Sequence, residues 1–202
     1  MDVGILGGTF DPIHNGHLIV ADEVRTQLEL DKVFFVPAGQ PWLKGDKNIS
    51  PVIHRVEMVR LAISSNPRFK LSALEVERLG PSYSVDTIDA LRDQLGSEVG
   101  LFFLLGSDIL SELPQWKGPS RLIQMCRLVA YSRPGYTSPP LRSLESAIPG
   151  ISSRVIPLEV PQIDISSTQI RTLVAQGHSI HSLVPEAVER YIQEQGLYIF
   201  SL

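Results

Sequence analysis

With 202 residues, 43% hydrophobic and 20% charged, the chain is long enough to bury a substantial core and carries no compositional mark of disorder. Its formal net charge of -4 excludes a global basic field of the kind that holds a long nucleic acid, although a small anion needs only a local cluster of donors. A single cysteine, Cys126, excludes an internal disulfide and a cysteine-rich metal site; the apolar "IQMCRLVAY" around it points to a buried thiol, with catalysis a remote alternative.

In chain order, Val3 to Leu6 is a short apolar run ending in Gly7 and Gly8, the pattern of a buried parallel strand. "NGHLIVADEVRTQLEL" then places Leu18, Ala21, Val24 and Leu28 at helical spacing, and "KVFFVPA" reads as a second strand. Ser50 as cap and Pro51 in the first turn predict a helix through "VIHRVEMVRLAISS". "FKLSALEVE" reads as a third strand, Ser84 as the cap of a helix through "VDTIDALRDQL", and "VGLFFLLG" as a central strand. Short helices near Ile109 to Leu113 and Ser120 to Met125 lead into the strand "RLVAYS". Residues 134 to 153, rich in Pro, Gly and Ser, read as a surface excursion before a last strand in "RVIPLEV". Helices follow from about Ser167 and from about Pro185 to Gln195, the second stopped by Gly196.

Strands alternating with helices predict an α/β fold, doubly wound, with a mostly parallel sheet and helices on both faces. One domain over residues 1–202 is expected, with a small C-terminal helical part from about residue 165. The N-terminus has no cationic leader, and the longest apolar run, Leu101 to Leu105, is far too short to cross a bilayer, so the expectation is a cytoplasmic protein without a membrane partner.

The stretch "GGTFDPIHNGHL", residues 7–18, carries the most chemistry. In an open α/β sheet, ligands bind beyond the carboxyl ends of the strands, where helix N-termini present unsatisfied N–H groups. Gly7 and Gly8 fall at that edge and let backbone donors approach a ligand, and a phosphate is the guest that fits. Neither G-x-x-x-x-G-K-[ST] nor G-x-G-x-x-G is present. In their place stand His14 and His17, three apart at a helix start, with Gly16 between them keeping the backbone open. Three readings compete for this pair: caps or core hydrogen bonds; a metal site, which needs a third ligand that the sequence does not obviously offer; or two donors aimed at a phosphoryl group that gains charge during transfer. The third accounts for the glycines as well.

"GGTFDPIHNGHL" resembles the H-x-G-H motif of the nucleotidyltransferase superfamily, and "ISSTQIR" at residues 165–171 resembles its second motif. With "GPSYSVDTIDAL", "LLGSDILSELPQW" and "VPEAVERYIQEQGLY", the likeness to bacterial nicotinate mononucleotide adenylyltransferases runs over nearly the whole chain. That resemblance implies a Rossmann-like nucleotidyltransferase fold and transfer of the adenylyl group of ATP to nicotinate mononucleotide, giving deamido-NAD and pyrophosphate in NAD biosynthesis. It implies small-molecule partners, ATP and nicotinate mononucleotide, with no nucleic acid; neither a monomer nor a homo-oligomer is selected.

The resemblance also assigns roles. His14, His17, Lys44 and Arg171 serve the reacting phosphates, His17 touching the α-phosphate in the transition state. Gly7, Gly8, Thr9, Phe10, Gly106, Asp108, Arg133, Ser166, Ser167 and Thr168 hold ATP, the three at 166–168 doubling as helix caps. Trp116 stacks on the pyridine ring, and Tyr83, Ser84 and Thr87 hold the nicotinate carboxylate, with Lys44 and Asp108 also on the mononucleotide. The loop that commonly reads Pro-Pro-His-Lys in these enzymes is here "QPWLKGDK", so Lys44 and Lys47 are both candidates for the phosphates. Mg2+ is implied as the partner of ATP, held by phosphate oxygens and water, with no protein metal ligand. The competing expectations are another adenylyl or cytidylyl transfer, such as to pantetheine phosphate, and a nucleotide-sensing module without catalysis.

Overall fold

Six strands occur among the described residues: β1 (Asp2–Gly8), β2 (Lys32–Pro37), β3 (Phe69–Leu71), β4 (Gly100–Gly106), β5 (Arg127–Tyr131) and β6 (Val155–Leu158). They form one sheet in the order β3-β2-β1-β4-β5-β6, and every neighbouring pair is parallel. The structure is a computed structural model and describes residues 1–41, 49–132, 135, 139–161 and 163–199. This order is that of doubly wound dinucleotide-binding folds, and the direction of winding reverses between β1 and β4. In the register, Leu6 lies opposite Leu104, and β1 runs on to pair Gly7 with Val36 and Gly8 with Pro37.

Alternation along the strands builds two cores. Val3 and Ile5, with Leu101, Phe103 and Leu105, face helices α4 (Ser84–Leu95), α5 (Pro119–Met125) and α6 (Leu141–Leu144). Leu6, Val33, Phe35 and Leu104 face α1 (Asn15–Gln27), α2 (Val52–Ile63), α7 (Ser167–Ala175) and α8 (Glu186–Glu194). The continuous apolar runs of β1 and β4 follow from burial on both faces, since each residue parity needs its own hydrophobic layer. The C-terminal helices share the second of these cores through Ile170, Val188 and Ile192.

Several boundaries differ from the sequence expectation. "FKLSALEVE" is a strand only over Phe69–Leu71; the Ala73 carbonyl then accepts from Val76 and Glu77 and starts the short helix α3 (Leu74–Glu77). The helix expected near Ile109 is a 3-10 helix over Ser107–Gln115, with Pro114 in its last turn. Neither Ser50 nor Ser84 caps a helix: the N-caps are Pro51 and Tyr83, and the Ser50 N–H donates to Asp11 Oδ2 at 3.1 Å. The stretch 134–153 is not wholly superficial, because Leu144, Ile148 and Ile151 are buried in the first core and Glu145 accepts from the Gly150 and Ser152 N–H groups. Among the described residues no helix is long and apolar enough to cross a membrane.

Candidate active site

The sheet's winding reverses where β1 and β4 end, at Gly7, Gly8 and Gly106, and a cleft opens there. It has two lobes that share Gly7, Gly8, Thr9, Phe103 and Trp116. The larger, about 1240 Å³, is walled by the first loop, by His14 and His17, and by Ser166, Ser167, Thr168 and Arg171. The smaller, about 720 Å³, is walled by Val36, Ala38, Pro41, Glu75, Ser82, Ser84 and Thr87. Their described walls differ in charge: histidines and an arginine line one, while Glu75 is the ionisable group of the other.

The first loop is tightly determined. Phe10 takes a left-handed backbone, φ 51°, and its ring is buried against Phe35 and edge-on to His17 at 5.0 Å. A side chain on Gly8 would meet that ring at 3.0 Å, so any larger residue requires the buried Phe10 ring to give way. Gly7 differs: an added Cβ would sit 3.7 Å from Phe103, an ordinary contact, and its absence serves the cleft instead. At Gly16 an added Cβ would lie 3.0 Å from the His14 Nδ1, so the missing side chain also makes room for the His14 ring.

His14 is the N-cap residue of α1 and is buried, with its ring 3.7 Å from that of His17 and tilted by 30°. The His14 backbone N–H donates to His17 Nδ1 at 3.2 Å. In a neutral imidazole the proton then resides on Nε2, so this bond makes Nε2 of His17 a donor. The capping and phosphate readings of the pair are therefore compatible, with one ring nitrogen used for each. Among the described residues no three His, Cys, Asp or Glu side chains converge to hold a metal.

The second motif is fastened to the first. Ser166 caps α7, its hydroxyl accepting from the Gln169 N–H at 3.1 Å, and the Ser167 hydroxyl donates to the Pro12 carbonyl at 2.9 Å. Arg171 donates through Nη1 to the Asp11 carbonyl at 2.7 Å and through Nη2 to Thr168 Oγ1 at 3.2 Å.

In the smaller lobe, the Thr87 hydroxyl donates to Glu75 Oε1 at 2.6 Å and accepts from Arg78, so its donor is engaged within the protein. Burial raises the Glu75 carboxyl above the ordinary glutamate value, against hydrogen bonds from Thr87 and Ser82 and the charge of Arg78. Trp116 ends the 3-10 helix with its ring edge-on to Phe103 at 6.2 Å, and its buried Nε1 has no hydrogen-bond partner among the described residues. Tyr83 and Asp108 do not themselves line the lobes. Tyr83 is the N-cap of α4, under Lys117 at 4.6 Å, and Asp108 is half-buried in the first turn of the 3-10 helix. Lys44, Lys47 and Arg133 lie outside the described residues. Cys126 is buried, with its thiol pushed up to about 12 by desolvation and its Sγ bonded to the Leu122 carbonyl, which removes it from catalysis.

Sequence reasoning missed Phe103, Glu75 and, beneath the cleft, Arg55. Arg55 is 2% exposed and donates to the carbonyls of Thr9 at 2.9 Å, Ala38 at 2.7 Å, Ser50 at 3.1 Å and Gly39 at 3.4 Å. Burial lowers its pKa, partly offset by the negative charge of Asp11. The signal was present: Arg55 stands three, four, seven and eight residues before Met58, Val59, Ala62 and Ile63, the buried stripe of α2.

Residues 5–173 match the cytidylyltransferase-like family. A probable nicotinate-nucleotide adenylyltransferase of Dehalococcoides mccartyi (strain CBDB1) is 48% identical over 198 residues, 98% of this chain and 97% of that protein. One from Roseiflexus sp. (strain RS-1) is 47% identical over 97% of both chains. The nicotinic acid mononucleotide adenylyltransferase of Plasmodium falciparum, solved in complex with NaAD, superposes with a TM-score of 0.78 over 99% of this chain and 98% of its own. Its 20% identity carries the fold alone.

Proposed function

From the premise that this chain belongs to the cytidylyltransferase-like family, we propose that it is a nicotinate-nucleotide adenylyltransferase. It transfers the adenylyl group of ATP to nicotinate mononucleotide, giving deamido-NAD and pyrophosphate, a step of NAD biosynthesis. The observation that carries the reading is the two-lobed cleft, in which a lobe lined by imidazole and guanidinium donors meets an apolar aromatic lobe at Gly7–Thr9.

The mononucleotide phosphate has a second pKa of about 6 and is nearly a dianion at neutral pH, so it needs no general base. One of its oxygens bonds to the α-phosphorus of ATP while the bond from that phosphorus to the bridging oxygen breaks, and pyrophosphate leaves with the electron pair. The protein must align two mutually repelling anions and stabilise the charge that builds on the α- and β-phosphates. His17 does this through its Nε2–H, held ready by the bond at Nδ1. His14, Ser167, Thr168 and Arg171 surround the triphosphate, while Trp116 and Phe103 receive the pyridine ring. Lys44 is our candidate for a mobile charge on the phosphates, with Arg133 on the adenosine side.

Magnesium would enter as the companion of ATP, held through the phosphate oxygens and water, and would partly neutralise the phosphates. Both substrates are soluble nucleotides, and we take the cytoplasm as the site of action.

Pyrophosphate release from ATP and magnesium tests the reading, with nicotinate mononucleotide, nicotinamide mononucleotide and phosphopantetheine offered in parallel. Strong preference for the nicotinate form is expected. Activity with phosphopantetheine alone overturns the substrate, and ATP binding without release in any arm overturns the enzyme.

A further inference from the structure

The closing segment "VPEAVERYIQEQGLY" plays no part in the chemistry above, yet the structure folds its last residue onto the first loop. After α8, Gly196 and Tyr198 both take left-handed backbone, φ 58° and 64°, and the chain turns back toward the sheet edge. The Tyr198 hydroxyl donates to Asp11 Oδ1 at 2.7 Å, across 187 positions of sequence. Asp11 is 4% exposed, and its other oxygen accepts from the Ser50 N–H. The phenol is held far above its ordinary range by burial and by the charge of Asp11, so it remains a donor at every working pH.

A second contact grips the loop from its other end. The Asn15 N–H donates to the Leu183 carbonyl at 2.9 Å, and Asn15 Nδ2 donates to the Ser182 carbonyl at 3.0 Å. His14 lies between Asp11 and Asn15, and its own N–H orients His17. Both ends of the segment that sets the two imidazoles are thus tied to the last quarter of the chain.

We propose that residues 182–198 brace the histidine loop, with Tyr198 a positioning residue that acts on His14 and His17 through its hydrogen bond to Asp11. The activity it governs rests on the adenylyl-transfer reading; the brace itself does not. Misplacing donors by a fraction of an ångström costs rate more than binding, because the bonds at stake tighten in the transition state.

The test is Tyr198→Phe, which removes one oxygen and keeps the packed ring. The expected kcat falls roughly tenfold, the loss of one hydrogen bond to a charged acceptor, with KM for both substrates within about twofold. Amide exchange of residues 11–17 in the unliganded protein accelerates. In a His17→Ala background the further loss of kcat shrinks to about threefold or less, since the unit being positioned is already broken. A kcat within twofold of the parent, or the same tenfold loss in both backgrounds, overturns the proposal. Should the parent show no adenylyl transfer, the functional reading fails separately, and unchanged exchange at residues 11–17 then overturns the brace while faster exchange upholds it.

Discussion

Replacing Arg55 by Met removes the guanidinium that joins the loops after β1 and β2 while leaving an apolar side chain of similar length. Three carbonyl oxygens, on Thr9, Ala38 and Ser50, lose donors at 2.7–3.1 Å, and the 3.4 Å contact to Gly39 is too long to add much. At about 1–1.5 kcal/mol for each stranded acceptor the loss is roughly 3–5 kcal/mol, the range found when one partner of a buried charged set is removed. Relief from burying a cation offsets part of this, so about 3 kcal/mol is expected. For a chain of this size 1 kcal/mol corresponds to about 2–4 °C in Tm, which makes the expected fall roughly 6–12 °C. Arg55→Lys keeps the charge but not the planar fork, and recovers about half. Thermal melts read by circular dichroism, with urea unfolding as a second measure, check the figure. Thr9 and Ala38 both line the smaller lobe, so KM for the mononucleotide rises in the same variant. A Tm within about 2 °C of the parent refutes the reasoning, because water would then be replacing the guanidinium donors at these carbonyls without loss.

His17→Ala lowers kcat by about 10²-fold or more with KM for ATP within about threefold, in steady-state pyrophosphate release; equal losses in both deny it a transition-state role. Trp116→Ala raises KM for the mononucleotide about tenfold and leaves that for ATP nearly unchanged; movement of the ATP constant instead removes the stacking assignment. Gly7→Ala melts within about 2 °C of the parent, because its methyl makes only an ordinary contact with Phe103, yet it loses most activity since the methyl enters the junction of the lobes. Full activity in that variant ends the close-approach account. Glu75 holds its proton more tightly folded than unfolded, so the native state binds more protons and stability falls as pH rises from the ordinary value of 4.5 through the raised one. Urea titrations across that window show this decline in the parent and a flatter profile in Glu75→Gln, and parallel profiles contradict the assignment.

Much of this was legible because local pattern and global architecture agree. The runs of β1 and β4 announced central parallel strands, and the glycines that end them marked the ligand edge before any contact was known. Ser50 and Ser84 are good caps by residue type, but Ser50 is drawn to Asp11, a partner 39 positions away that a local rule cannot see. Arg55 was hidden because its four acceptors are backbone carbonyls, which leave no mark in a sequence; only its place on an apolar stripe betrayed it. The contact at Gly16 was not legible for a related reason: a neighbouring side chain folds back on it, which spacing alone does not show.

The two motifs, about 150 residues apart, also prove to be one structural unit. Arg171 commits one Nη1 proton to the Asp11 carbonyl and one Nη2 proton to Thr168 Oγ1. A guanidinium carries five N–H donors in a rigid plane, so three remain for a ligand while the first two stay in place. In the proposed role, the arginine can therefore hold the loop and a phosphate together. The same economy appears in His17, whose Nδ1 accepts from the loop and so makes Nε2 the donor. In each case the bond that builds the loop also orients the group that faces the lobe. With the roles proposed above, charge developing on the α-phosphate would meet dipoles already set, with little reorganisation left to perform at the moment of transfer.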